Sequence, residues 1–354
     1  MRKGGTSLSH KTDPVSIGRM NKGENNCITD VPGVHVGHVT LDEPLDNENG
    51  DYACTGVTAI LPHNENIFRE KVTAASYIIN GFGKTTGLIQ IDELGLLESP
   101  IMLTNTFSIP AVTQGTLEYL LKQNPEIGDT TGTVNTVVGE CNDGYLNSIR
   151  TFSIQPKHAI EAIENAKTTP SEEGAVGAGK GMVCFGYKGG IGSSSRIVNV
   201  QGESISYTIG CLVLSNFGSK QDARIIDPSA SKTNDEEAPT SDGSIMIICA
   251  TNAPMSDRQL RRLSKRCSIG LGRTGGNFHN GSGDIVISFS TAHRHDHFAK
   301  SHTEVKTQVR DDHPVMNECF TAAAEACEEA IVRSLQFATA TSGKRQRTVL
   351  PFYK

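Results

Sequence analysis

From Ser219 to Asp242 the chain has little to bury; it carries Pro228, Pro239 and the acidic run Asp235-Glu236-Glu237. At Gly243-Ser244 it changes without transition into the apolar run Ile245-Met246-Ile247-Ile248-Cys249-Ala250. This boundary constrains the fold more than any other stretch. The apolar run reads as a buried strand, and the polar segment before it belongs outside the core. The boundary also puts a serine at the start of the strand, directly after a glycine. Scission of the Gly243–Ser244 bond would leave Ser244 with a free α-amine beside its own hydroxyl. Such an amine has a pKa of about 7.7–8 and takes up protons near neutrality, so nucleophile and base would share one residue. The plainer reading is a glycine-containing turn that feeds a strand, and the rest of the chain has to decide between the two.

A chain of 354 residues suits one large domain or two small ones. Its 36 glycines, absence of Trp and 5% aromatic content favour tight turns and close backbone approach over a helical bundle. A net charge of −6 and a pI near 6.0 leave no basic footprint for nucleic acid. No apolar run approaches the roughly 20 residues needed to cross a bilayer, and Met1 to Asn26 lacks the apolar core of a signal peptide. Nine scattered cysteines without a C-x-x-C pair point to reduced cytoplasmic thiols, most of them small core residues. Gly174 to Gly181 falls short of a phosphate-binding loop, because Gly181 follows Lys180 where such a loop places Ser or Thr for magnesium. Its glycines are read as close packing, and no cofactor is expected.

Strands and helices mix along the chain, which predicts an α/β or α+β fold. Strands are expected at Gly56–Pro62, Leu88–Ile91, Ile101–Thr106, Val137–Glu140, Met182–Gly186, Tyr207–Gly218 and Ile285–Thr291. Helical spacing is read around Ala74, Ala75, Ile78 and Ile79, at Val112–Leu121, at Pro156–Lys167 and in the long stripe from Pro314 to Phe337. Ser256 with Gln259 forms a capping box that opens another helix. Residues 1–27 read as a flexible tail. Lys188 to Arg196 reads as a glycine-serine loop with two cations.

Several residues have side chains suited to chemistry. Glu140 ends an apolar strand, where a carboxylate receives a cationic group, and Tyr145 follows the Asn142-Asp143-Gly144 turn. Asn216 ends the strand Tyr207–Phe217, with an amide able to donate to an oxyanion. Ser282 and Asp284 lie in a tight turn. His35 and His38 read as surface or packing residues more readily than as ligands. His293, His295 and His297 alternate, so a strand would put all three on one face, as some metal sites do. No separate fourth ligand accompanies them, and no metal is expected.

Taken together, the ordered segments Asp30–His38, Gly139–Asn147, Gly189–Arg196, Asn216–Gly218, Gly243–Ile247 with Ala250–Pro254, Arg273–Gly275 and Asn280–Asp284 resemble the DmpA-like family of L-aminopeptidase/D-esterases and β-peptidyl aminopeptidases. The resemblance implies a four-layer α/β/β/α sandwich related to that of ornithine acetyltransferases. It implies a single catalytic domain, 28–354, cut at Gly243–Ser244 into a larger part ending at residue 243 and a smaller part, 244–354. It also implies a tetramer of processed heterodimers in the cytoplasm, acting on short peptides, amides or esters, with no cofactor, nucleic acid or membrane partner. Position by position, Ser244 matches the nucleophile and Asn216 the oxyanion donor. Ser282 and Asp284 match the pair that orients the serine, Tyr145 a residue assisting at the leaving group, and Glu140 the acid that binds the substrate's amino terminus. Where Asp284 stands, the family also has Glu. Cys141 and Asn252 stand where Thr and Asp are expected. An acyltransferase of the ornithine acetyltransferase type is a rival, although that type uses Thr at the junction. An uncleaved, inactive binding protein is another.

Overall fold

The computed structural model describes residues 17–47, 49–225 and 243–353. In chain order these form β1 (His35–Pro44), β2 (Tyr52–Leu61), β3 (Glu70–Gly81), α1 (Leu88–Leu94), β4 (Leu96–Leu97), β5 (Ile101–Asn105), α2 (Ile109–Gln123), β6 (Val137–Cys141) and α3 (Pro156–Glu164). There follow β7 (Val183–Cys184), β8 (Tyr187–Lys188), β9 (Gly190–Asn199), β10 (Ser206–Asn216), β11 (Ser244–Thr251), α4 (Asp257–Thr274), β12 (Gly283–Asp296) and α5 (Val315–Gln336). The longer strands make two sheets, ordered β1-β2-β5-β6 and β4-β3-β12-β11-β10-β9.

The layers follow from which face each strand residue takes. On β10 and β11, Leu212, Leu214, Met246 and Ile248 point one way, into a core shared with Val36, Ile60 and Leu103 of the other sheet. Cys211, Val213, Ile247 and Cys249 point the opposite way and pack under Leu260 and Leu263 of α4 and Ala323 and Ile331 of α5. The outer face of the smaller sheet, with Val57, Ala59, Met102 and Val138, is covered by Val112 of α2 and Ala159, Ala162 and Ile163 of α3. Three apolar layers between four layers of secondary structure make the α/β/β/α sandwich. Both faces of the central strands are buried, so their sequences are continuously apolar and not alternating. The α4 helix starts at the capping box: the Ser256 hydroxyl accepts from the Gln259 amide at 3.3 Å and the Gln259 side chain accepts from the Ser256 amide at 3.1 Å. It stops at Gly275, which takes φ +113°, a conformation that a Cβ disfavours.

Four local expectations give way. Ala74 to Ile79 lies in β3 and not in a helix: Ala74 faces the inter-sheet core and Ala75 the helical side, so apolar residues at both parities imitate helical spacing. Leu88–Ile91 is the start of α1 and not a strand, bracketed by Gly87 and Gly95 with φ +87° and +67°. The stretch Lys188–Arg196 is mostly β9, and both of its cations are fully buried. Residues 17–27 are docked on β9 and α5. The Arg19 and Met20 amides donate to Glu325 at 3.0 and 3.1 Å, and Lys22 pairs with Glu329 at 2.6 Å. The first part of the expected tail, 1–16, and the polar linker from 226 to 242 lie outside the described residues. All nine cysteines are free and buried. Among the described residues no helix is long and apolar enough to cross a membrane.

Candidate active site

Ser244 is the first residue of β11, between the end of β10 and the start of β12. It lies opposite Asn216 in the antiparallel pair with β10 and opposite Gly283 in the parallel pair with β12. The Gly283 amide donates to Ser244 Oγ at 3.2 Å. A Cβ on Gly283 would stand 3.2 Å from that oxygen and 2.6 Å from the Phe82 carbonyl, so only glycine lets the amide come this close. Ser244 is nearly buried, at 9% exposure.

Asn216 is fixed from two directions. Its Oδ1 accepts from the Val183 amide at 2.9 Å, and its Nδ2 donates to the Asn142 carbonyl at 3.0 Å. A primary amide carries two N–H donors, and one of them is used here. On the other side of Ser244, the Ser282 hydroxyl donates to Asp284 Oδ1 at 2.6 Å. Burial pushes the Asp284 carboxyl up to about 6, against the lowering effect of that hydroxyl, of His279 and of the Ile245 amide. A cavity of ≈ 180 Å³ opens here, lined by Phe217, Gly243, Phe278, His279, Ser282 and Asp284 among others.

Glu140 reaches the same region from the other sheet. Its carboxylate accepts from the Lys84 amide at 2.9 Å and from the Thr106 hydroxyl. A Cβ on Gly83 would lie 3.3 Å from Glu140 Oε1 and 3.9 Å from Gly283 Cα, so Gly83 bridges the carboxylate to the Ser244 neighbourhood. Tyr145 is half-buried, with the Arg347 guanidinium 4.6 Å over its ring and Arg347 donating to its carbonyl at 3.1 Å. Among its described contacts none joins it to Ser244. Sequence reasoning missed the Gly283 amide, the Asn142 carbonyl, Thr106, Lys84 and Val183. All but Thr106, which uses its hydroxyl, act through backbone groups brought in by register, which leave no mark in residue type.

The alternating histidines do not converge. His293 Nε2 lies 2.9 Å from the Thr307 carbonyl, His295 Nε2 2.9 Å from Thr73 Oγ1, and His297 Nε2 2.7 Å from Thr131 Oγ1. The strand ends at Asp296, with a register shift before His295, so the three take separate partners. Among the described residues the one group spaced for a metal is Cys211, Cys249 and Cys267. It sits inside the apolar layer under α4 and α5. Hydrogen bonding with Cys249 and Cys267, then burial, pushes the Cys211 thiol well above its usual range, and all three side chains pack within the apolar layer. Gly177, Gly179 and Gly181 admit close backbone contacts, the last with the Cys54 carbonyl, and Lys180 pairs with Asp42 at 2.7 Å. That is packing and not a phosphate cradle.

The chain is similar to known proteins over most of its length. The model of peptidase family S58 matches residues 26–349. The chain is 38% identical over 349 residues to the beta-peptidyl aminopeptidase BapA of Sphingosinicella microcystinivorans, covering 92% of this chain and 85% of that protein. The crystal structure of the PH0078 protein from Pyrococcus horikoshii OT3 superposes with a TM-score of 0.88 at 47% identity, over 96% of this chain and 94% of that one. The L-aminopeptidase D-Ala-esterase/amidase from Ochrobactrum anthropi, described as a prototype for the serine aminopeptidases and a variant among the Ntn hydrolase fold, superposes with a TM-score of 0.86 at 33% identity. That match covers 94% of this chain and 93% of that one.

Proposed function

The chain belongs to peptidase family S58 and is a peptide-bond hydrolase; from that premise we propose that it cuts its own Gly243–Ser244 bond and then works as an N-terminal-serine aminopeptidase. The observation that carries this reading is the placement of Ser244 at a strand start between the Asn216 amide and the Gly283 N–H. The Ser282–Asp284 hydrogen bond lies beside it.

In the proposed reaction, Ser244 Oγ attacks the acyl carbon and the Ser244 α-amine, freed by cleavage, takes the proton. An amine of pKa about 7.7–8 is neutral often enough near pH 8 to do so. The remaining Nδ2–H of Asn216 stabilises the oxyanion, and one such donor is worth roughly 3–4 kcal/mol in the transition state; the Gly283 amide holds the attacking oxygen. Ser282, held by Asp284, orients the amine and hydroxyl. Glu140 receives the substrate's ammonium group, which restricts action to free amino termini. The α-ammonium then gives that proton to the leaving amine or alcohol as its bond to the acyl carbon breaks, with Tyr145 assisting there. Water attacks the resulting acyl-enzyme ester, which releases the acyl group as a carboxylic acid and restores the Ser244 hydroxyl.

The substrates proposed are short peptides, amides or esters with a free amino terminus, β-aminoacyl residues included. We also propose a cytoplasmic protein, supported by nine unpaired thiols. A homo-oligomer, a tetramer of processed heterodimers, is supported by exposed apolar side chains such as the stacked pair Phe107 and Phe152. Turnover of a panel of L-, D- and β-aminoacyl p-nitroanilides by the wild type and by Ser244→Ala tests the function. Release of nitroaniline by the wild type alone supports it, and equal release by both overturns it.

A further inference from the structure

Asn216 is held by a short hairpin, β7–β8, laid against the end of β10. The Val183 amide reaches Asn216 Oδ1, and two residues on, the Phe185 amide donates to the Phe217 carbonyl at 2.7 Å. The hairpin pairs with itself through few residues, so something else has to fix its position. At its end stands Lys188, with no exposed surface. The Lys188 ammonium donates to three main-chain carbonyls: Gly179 at 2.9 Å, Met182 at 2.9 Å and Gly189 at 2.8 Å. Met182 is the residue directly before Val183.

We propose that Lys188 is a positioning residue for the oxyanion donor: it pins the Met182 carbonyl, and with it the Val183 amide that aims Asn216. This rests on the assignment of Asn216 as the oxyanion donor. An uncompensated buried charge is costly, and each of the three N–H groups here is matched to an acceptor, the full donor capacity of an ammonium. Burial pulls its pKa down to about 7, and hydrogen bonds to the three carbonyls oppose that pull. An apolar side chain in its place would leave the Met182 carbonyl held by the Gly189 amide alone, at 3.2 Å, next to the one amide whose direction matters for Asn216.

The test is a double-mutant cycle on full-length, processed enzyme, with cleavage checked by intact mass. Lys188→Met is expected to lower kcat about tenfold or more, within the range of losing an aligned oxyanion donor, with KM changed less than about twofold. In an Asn216→Ala background the same substitution should add nothing, because the group it aims is gone. Multiplying losses in the double variant, or a rise in KM with kcat unchanged, would overturn the Lys188 proposal alone. A full-rate Asn216→Ala variant would overturn the Asn216 assignment and this proposal with it. Should Lys188→Met not fold, Lys188→Gln keeps a donor: an intermediate kcat at unchanged KM supports the proposal, and a wild-type kcat overturns it.

Discussion

Gly283 and Ser244 face each other across the parallel pair of β12 and β11, close enough for the Gly283 amide to donate to the serine hydroxyl at 3.2 Å. That contact ties the nucleophile to the tight turn that also supplies Ser282 and Asp284. A methyl group at 283 would press on Ser244 Oγ and on the Phe82 carbonyl. Gly283→Ala is expected to lower kcat about 100-fold, the scale of a displacement of about 1 Å at a reacting atom. Steady-state kinetics on purified protein with an unchanged circular dichroism spectrum checks this.

Asp284 sets the acid side of the pH profile. Its carboxyl is pushed up to about 6 by burial, so it gains a proton, and loses its charge toward Ser282, as pH falls through that value. The rate constant kcat/KM should therefore rise with pH through about 6, and rise again toward about 8 as the Ser244 amine is deprotonated. Asp284→Asn should abolish the lower limb and reduce the plateau about 100-fold. A pH series of kcat/KM for both proteins measures it.

Glu140 is expected to act on binding. Glu140→Gln keeps the shape but removes the charge proposed to receive the substrate's ammonium group. It should cost ~2 kcal/mol, about 30-fold in kcat/KM. N-acetylated substrates, poor for the wild type, should lose nothing further. Comparing free and blocked p-nitroanilides separates the two effects.

The fold was legible where a cap, a stripe or an unbroken apolar run decides. The Ser256–Gln259 cap, the stripe of α5 and the strand before Asn216 are written in this way. It was illegible in β3, where small apolar residues serve both faces. Ala74 and Ala75 serve opposite layers of the same strand, and the period of two disappears. Ser244 and Asn216, the proposed nucleophile and oxyanion donor, were legible as residues at strand boundaries. The amides of Gly283, Lys84 and Val183 were not, because register brings them into the site and register has no residue signature. Buried Lys188 and Arg196 read as loop cations, since a sequence shows charge but not the carbonyls and carboxylates that absorb it.

Arg196 illustrates the last point. It has no exposed surface, and it donates to Glu325 at 3.2 Å, Glu329 at 2.6 Å and the Ile17 carbonyl at 2.7 Å. Arg196→Met removes the buried cation that Glu325 and Glu329 share, leaving them the Arg19 and Met20 amides and the half-buried Lys22, and is expected to destabilise the protein by about 3 kcal/mol. The shift should be visible in the urea midpoint, and proteolysis between residues 17 and 27 should accelerate as that segment is released.

Chelation should have no effect. The three histidines take separate partners, and the three clustered thiols are sealed inside the apolar layer under α4 and α5. Turnover after dialysis against EDTA should equal that of untreated enzyme, and elemental analysis should find no stoichiometric metal.

The central claim is that one peptide bond is broken to make the catalyst. Intact-mass analysis with amino-terminal sequencing of purified, active protein addresses it directly, alongside Ser244→Ala. The account predicts two chains, the smaller beginning at Ser244, and a single uncut, inactive chain for the variant. A wild-type protein that turns over substrate at full rate as one unbroken chain would contradict it.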